Sequence, residues 1–403
     1  MDIKKQIIID KFVAKPIAYL LNFLVRIVGQ LTSINHDLNR DFKTIAICKF
    51  KGMGSILQAT PMIEAIRKKY PSAQIIFVST SSNQKILEKI TAIDTIVTVN
   101  ESSLSTFFVS NLKALYKLIR IRPDVYIDLE IYSDYSTLFT LSTISKNRIG
   151  FYLRSSSFRM GIYTHMLFFN PRAPISEVYL QIARILGCDT SECGLIDLKK
   201  QISTLTKREN EYIVINPNAS DLRLERKWGK ENFISLIENL QVSHPEFDIL
   251  LIGSKIEEEY TSEIASAFTS PKIINTAGKT SIDELIEIIA NARLMISNDT
   301  GPMHIAFCTN TPIICLFGPC SPDQYGMNEN AHIIYKNAYC SPCVHDFEIP
   351  PCKGDNVCMK LISTNEVNKK VNELLNGHTI NYSIQNSFIY RDETTVFGQV
   401  NRL

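Results

Sequence analysis

The sequence predicts an α/β chain built from two doubly wound parallel-sheet domains that face each other across a cleft. Three observations carry that expectation. Short apolar runs of strand length alternate with segments of helical periodicity, the pattern of parallel strands joined by crossover helices. The alternation starts at Thr44, runs down and restarts at Tyr212, as two successive sheets require. The 403 residues suit two or three domains, and 45% hydrophobic with 21% charged residues leaves each an ample core. The expected division is an N-terminal segment 1–42, a first domain 43–200, a second domain 201–375 and a tail 376–403, with the junction near 195–210. The tail is polar and mixed: it is either partly disordered or returns to brace the first domain.

Residues 44–50 read as the first strand, followed by the glycine loop Lys51-Gly52-Met53-Gly54-Ser55. A helix begins near Pro61, with Thr60 as N-cap and the proline at the first helical position, where its missing N–H is not needed. Met62, Ile63 and Ile66 share its apolar face, Arg67, Lys68 and Lys69 meet the negative end of its dipole, and Pro71 stops it. A second buried strand follows at 75–78. Residues 125–129 are strand-like and lead into the acidic pair Asp128 and Glu130. Residues 133–145 and 178–187 read as helices, the second closed by a glycine. In the second half, strands are expected at 212–215, 248–252, 272–274, 294–296 and 312–317. Helices separate them at 233–240, 256–268 and 281–290, the last capped by Thr280 or Ser281. In such sheets ligands bind outside the carboxyl ends of the strands, which makes the cleft between the two domains the expected site.

The formal charge of +2 gives no global basic excess for nucleic acid. Ten cysteines in a chain of this length do not form a secreted disulfide scaffold, so a cytoplasmic, reducing compartment is expected. Cys48, Cys188, Cys308 and Cys315 stand in apolar contexts, as buried thiols do. The N-terminus lacks the small-residue cleavage site of a signal peptide. Residues 15–31 are apolar, yet Asn22 and Arg26 interrupt them, and the run is too short to span a bilayer. Two readings stand for it: an amphipathic helix on the cytoplasmic face of a membrane with Lys15 and Arg26 near head groups, or a helix packed on the protein's own core.

The densest chemical signal is Ser297-Asn298-Asp299-Thr300-Gly301-Pro302-Met303-His304. It follows a strand and opens a helix. Asp299 and Thr300 can cap that helix, and Gly301 lets a ligand approach the backbone. A helix start offers free N–H groups and a positive dipole end, which suits a diphosphate. His304, one turn in, can donate to a phosphate or sugar oxygen. On the residues alone a capped helix with a packed histidine is the competing reading.

The stretch SNDTGPMHIAFCTNTPIICLFGPCSP resembles the most diagnostic part of glycosyltransferase family 9, the ADP-heptose:lipopolysaccharide heptosyltransferases. GMGSILQATPMIEAIRKKYPSAQI is similar to that family's first loop and helix, and NPNASDLRLERKWGKENF to the start of its second domain. The resemblance covers roughly residues 43–375. It implies a GT-B fold of two Rossmann-like domains, the acceptor on the first and the nucleotide sugar on the second. It further implies that Asp299, Thr300, Gly301 and His304 contact the donor. Lys227, beside the single tryptophan Trp228, matches the lysine that meets the phosphates, and Ser220 adds a hydroxyl. A cation there would stabilise the leaving diphosphate. By itself Lys227 also reads as a solvated member of the basic run with Arg223 and Arg226. These groups can take the place of a divalent metal, so catalysis needs no cofactor.

The acceptor loop, Gly52, Gly54 and Ser55, departs from the resemblance. Where the family carries an aspartate base this chain has Ser55, which cannot serve as that base. Asp128 or Glu130 could take over, the acceptor could differ, or the protein could bind without turnover; both carboxylates also read as ordinary loop caps. Cys340, Cys343, Cys352 and Cys358 form a cluster at 340–358 whose Cys-x-x-Cys start suggests a structural zinc site, with a disulfide or free thiols as alternatives. The resulting expectation is an inverting glycosyltransferase that moves a sugar, heptose by resemblance, from a nucleotide diphosphate to a lipopolysaccharide or related surface-glycan acceptor. The competing expectations are a hexosyltransferase with a UDP- or GDP-sugar donor, and a nucleotide-sugar-binding protein with little catalysis.

Overall fold

The structure, a computed structural model, describes residues 12, 15–32, 34–153, 159–202, 208, 210–219, 223–347 and 350–376. Ser220, the tail beyond Asn376 and the side chains of Lys15 and Arg26 lie outside the described residues. The chain divides into two units. The first runs through Asn170 and includes Ile175–Leu195; the second takes Pro171–Pro174 and resumes at Ile196.

The first unit begins with helix α1 (Lys15–Thr32), which the sequence reading had set apart as a segment of its own. Its sheet is six-stranded: β1 (Thr44–Cys48), β2 (Gln74–Thr80), β3 (Thr95–Val99), β4 (Val125–Asp128), β5 (Asn147–Tyr152) and β6 (His165–Phe168), in the order β3-β2-β1-β4-β5-β6. Every pairing is parallel. The helices of six or more residues that follow α1 are α2 (Met53–Gln58), α3 (Thr60–Lys69), α4 (Leu104–Ile121), α5 (Asp134–Ser142) and α6 (Ile175–Ile185). The central strands are Val/Ile-rich and buried because helices cover both faces.

The second unit repeats the plan. Strands β7 (Tyr212–Asn216), β8 (Asp248–Leu251), β9 (Ile273–Asn275), β10 (Leu294–Asn298), β11 (Ile313–Phe317) and β12 (Ala331–Tyr335) lie in the order β12-β11-β10-β7-β8-β9. Its helices of eight or more residues are α7 (Lys230–Ser243), α8 (Glu258–Ala265), α9 (Ile282–Ala290), α10 (Gly301–Cys308) and α11 (Thr364–Leu375). Trp228 anchors the core under α7: it is 2% exposed, donates from Nε1 to the Ile362 carbonyl at 2.8 Å and meets Phe233 edge-on at 5.1 Å.

Two local expectations needed correction, and one open choice was settled. The glycine loop is already a helix start: Gly52, at φ 87°, is the N-cap of α2, so Met53, Gly54 and Ser55 form its first turn. Thr60 is the first residue of α3 and not its cap; Ala59 occupies the cap and Pro61 the second position. Ser281, not Thr280, caps α9, in a reciprocal box with Glu284. Helix α1 answers the question the sequence left open only in part. It packs on α5 through Ala18, which joins Ile162, Tyr163 and Met166, yet most of its large apolar side chains face outward. Among the described residues no helix is long and apolar enough to cross a membrane.

Candidate functional site

In each unit the strand order reverses beside the first strand, at β1/β4 and at β7/β10, and loops leaving such neighbours splay apart to open a crevice. Both chemical motifs found in the sequence sit there.

In the second unit, Asn216 at the end of β7 donates to Ser297 Oγ at 3.0 Å and to Thr300 Oγ1 at 2.7 Å. Asn298 at the end of β10 donates back to the carbonyls of Pro217 and Asn218 at 3.0 and 3.1 Å. Asn218 reaches the Ile252 carbonyl at 2.8 Å and Thr261 of α8 at 3.2 Å. All three asparagines are at most 2% exposed, so this amide network rigidly fixes where the two strands release the chain. Thr300 is the N-cap of α10 in extended geometry, but its hydroxyl is held by Asn216 and caps nothing. Pro302 in the first turn has no N–H. The positive end of α10 is thus left without a side-chain acceptor, at the reversal of the sheet. Asn298 Oδ1 and Arg226 Nε are buried there without a hydrogen-bond partner.

Asp299 and His304 are buried. Asp299 is 4% exposed, with Oδ2 3.5 Å from Arg226 Nη1. Burial works against the Arg226 charge, but Asp299 overrides it and holds the guanidinium protonated more firmly than usual. Asp299 therefore orients Arg226, which also donates to the Asp299 carbonyl at 3.4 Å. His304 is 5% exposed, edge-on to Phe307 at 5.4 Å, and burial pulls its pKa down to about 4. Both side chains are packed under the helix start. Thr300 and Gly301 remain partly exposed at its rim.

Lys227 follows a short turn at Leu224–Arg226, and its ammonium stands 3.8 Å from the centre of the Tyr260 ring on α8. The buried Trp228 beside it and Asn232, which donates to the Trp228 carbonyl at 2.7 Å, pin this segment. Gly229 closes it at φ 101°, ψ 140°, a conformation that only glycine adopts without strain.

In the first unit, Glu130 grips the loop. Its Oε1 accepts the N–H groups of Phe50 and Lys51, both at 2.9 Å, and its Oε2 pairs with Lys49 Nζ at 2.8 Å. Burial alone would raise the Glu130 pKa, but Lys49 outweighs it and takes the carboxyl below its usual range. Thr80 and Asn83 hold the Phe50 carbonyl, both at 2.9 Å. Asp128 is fully buried; it accepts Tyr163 Oη at 2.5 Å and the Glu130 N–H at 2.9 Å. Burial raises its pKa, with Arg159 opposing. Glu130 therefore supports the loop, and Asp128 supports Tyr163 and the Glu130 amide. Ser55 hydrogen-bonds the buried Tyr179, and burial pushes that phenol up to about 12.

The four clustered thiols come into one neighbourhood, with Cys343 and Cys358 buried and Cys340 and Cys352 partly exposed, and all are free. Among the described residues no three His, Cys, Asp or Glu side chains are placed to hold a metal ion, so the geometry does not carry the zinc expectation. A depression of about 650 Å³ lined by Asn239, Val242 and Asn372 lies on α7 and α11 and includes none of the motif residues.

Sequence reasoning missed Lys49, Arg226, Tyr179, Tyr260 and the asparagine network. Only Arg226 carried a signal, its place in the same basic run as Lys227.

Comparison with known proteins bears on the family and the fold. The family model for glycosyltransferase family 9 (heptosyltransferase) matches residues 135–352. Lipooligosaccharide heptosyltransferase 2 of Campylobacter jejuni is 31% identical over 187 residues, 45% of this chain and 56% of that protein. Lipopolysaccharide heptosyltransferase 3 of Escherichia coli is 25% identical over 280 residues, 66% of this chain and 80% of that protein. The chain thus spans about half the length of the first of these relatives. The solved structure of E. coli ADP-heptose lps heptosyltransferase II superposes with a TM-score of 0.65 at 20% identity, over 83% of this chain and 99% of that one, which establishes the shared GT-B fold of two Rossmann-like units.

Proposed function

The chain belongs to glycosyltransferase family 9, and from that premise we propose that it transfers a sugar, heptose in the first instance, from a nucleoside diphosphate to a lipopolysaccharide-type or related surface-glycan acceptor. The observation that supports a diphosphate donor is the uncapped start of α10 at the β7/β10 reversal. Its cap residue Thr300 is turned away to Asn216, and its first turn has no side-chain acceptor. Lys227 supplies the mobile cation: it leaves the Tyr260 face to meet the departing diphosphate, and Arg226, fixed by Asp299, adds a permanent charge beneath. Rigid donors held before the reaction stabilise the leaving group without reorganising, so no metal step is required for this part of the chemistry.

The first unit is proposed to receive the acceptor at the α2 start. An acceptor hydroxyl that displaces the diphosphate from the face opposite it inverts the anomeric centre. The proton is proposed to leave to a base other than Ser55, Asp128 or Glu130, because a serine is too weak a base, Glu130 is held by the loop amides and Asp128 by Tyr163. That same observation favours a second reading, a nucleotide-sugar binder with little turnover.

A thermal-shift screen of ADP-, UDP- and GDP-sugars tests the donor. Stabilisation by ADP-sugars is expected; a shift with UDP- or GDP-sugars alone would replace heptose by a hexose. Donor turnover with an acceptor extract separates enzyme from binder: tight donor binding with neither transfer nor hydrolysis would favour the binder.

A further inference from the structure

We propose that the first unit docks on an anionic lipid bilayer through one face, formed by α1 and α4 on either side of α5. This inference is independent of the sugar-transfer reading. The three helices share one side of the sheet. Helix α5 meets α4 where the Tyr135 ring lies 5.4 Å from Phe107 and its hydroxyl bonds Asn111, and α5 meets α1 around Ala18. Both flanking helices turn apolar side chains outward. On α1, Leu20 is 62%, Phe23 63% and Leu31 79% exposed. On α4, Leu104, Phe108, Leu112 and Tyr116 form a stripe at one-turn spacing, 53% to 64% exposed. Between them Ile144, just past α5, is 72% exposed. A stripe of this size on each of two neighbouring helices exceeds the scattered apolar residues of an ordinary surface.

Charge selects the occupant. Neither residues 15–32 nor 104–122 contain a single Asp or Glu, while the second stretch carries Lys113, Lys117, Arg120 and Arg122, all exposed. Arg120 stands over the Tyr116 ring at 5.8 Å and donates to its hydroxyl at 3.2 Å, an aromatic–cation pair of the kind that sits at a membrane interface. A second copy of this face would set cation against cation across a two-fold axis. Anionic headgroups with acyl chains below complement both the charges and the stripes. With no spanning helix among the described residues, the contact lies on the bilayer surface. Placed there, the unit proposed to bind the acceptor would meet a lipid-linked glycan at its source.

The test is co-sedimentation of the full chain with phosphatidylcholine vesicles, with and without phosphatidylglycerol. Binding is expected to be about tenfold or more tighter with the anionic lipid, and to weaken as salt rises. The pairs Leu20→Glu/Phe23→Glu on α1 and Phe108→Glu/Leu112→Glu on α4 should each reduce it about tenfold or more, with unchanged circular dichroism and melting temperature. Absence of vesicle binding would overturn the proposal. So would full binding in the α4 variant, which would take that helix out of the face. Light scattering that shows a dimer in the wild type, dissolved by the same substitutions, would overturn it in favour of a second copy.

Discussion

Replacing Glu130 by Gln distinguishes a clamp from a catalytic base. The Lys49–Glu130 pair is 2.8 Å long, and the two side chains are only 9% and 8% exposed. At that distance and an effective dielectric of about 20 the attraction is about 6 kcal/mol before desolvation is counted. Glu130→Gln keeps an acceptor for the Phe50 and Lys51 amides but leaves the Lys49 ammonium buried without a counter-ion. Breaking a buried pair from one side costs about 3–5 kcal/mol. Hydrogen exchange read by mass spectrometry on the β1 peptide localises the effect to the first unit. Protection of residues 44–48 is expected to fall about 10²- to 10⁴-fold. Lys49→Met should do the same. The double variant Lys49→Met/Glu130→Gln should recover most of the loss, because no unpaired charge remains. A coupling energy below about 0.5 kcal/mol in this cycle would refute the reasoning. So would unchanged protection in Glu130→Gln with loss of turnover alone, the signature of a base.

Three other outcomes are expected. Lys227→Ala should weaken nucleotide-sugar binding about 10- to 100-fold by removing one charge-assisted contact, while Ser55→Ala leaves calorimetric donor affinity at the wild-type value; equal affinities in the two variants would remove Lys227 from the site. The imidazole of His304, with a folded pKa of about 4 against an ordinary 6.5, favours folding fully above about pH 6.5. That contribution, about 3 kcal/mol, is lost as pH falls from 6.5 towards 4. His304→Gln should therefore flatten the denaturant-derived stability profile over that window, and an unaltered slope would contradict the burial argument. Gly229→Ala should destabilise the second unit by about 1–3 kcal/mol, because its φ of 101° admits no Cβ without strain; Trp228 fluorescence next to it reads the transition, and a midpoint within error of wild type would disprove the requirement.

The strand-loop-helix alternation of residues 44–78 and 294–317 was legible because it is written locally. Apolar runs of strand length, a glycine at the turn and a proline in the first helical turn all act within a few residues of one another. The motif at Ser297–His304 was legible for the same reason, down to the helix start that it opens. Strands β3, β5, β6 and β12 and helices α4 and α11 escaped notice. The strands carry threonine, histidine and arginine that blur the apolar run, and α4 spreads Phe108, Leu112 and Tyr116 over a face that no core explains.

What the sequence determined by itself is the fold class, the family and the helix start at the Thr300 end of α10. What only the tertiary structure decided is which polar atoms remain free. Glu130 is taken by Lys49 from 81 residues away and Asp128 by Tyr163 from 35, and the Asp299 carboxylate stands 3.5 Å from Arg226. A carboxylate in a motif reads as reactive until its partners are known, and those partners sit on other strands. Their proximity depends on the parallel sheet closing first, since burial and pairing are properties of the packed chain and not of any segment of it.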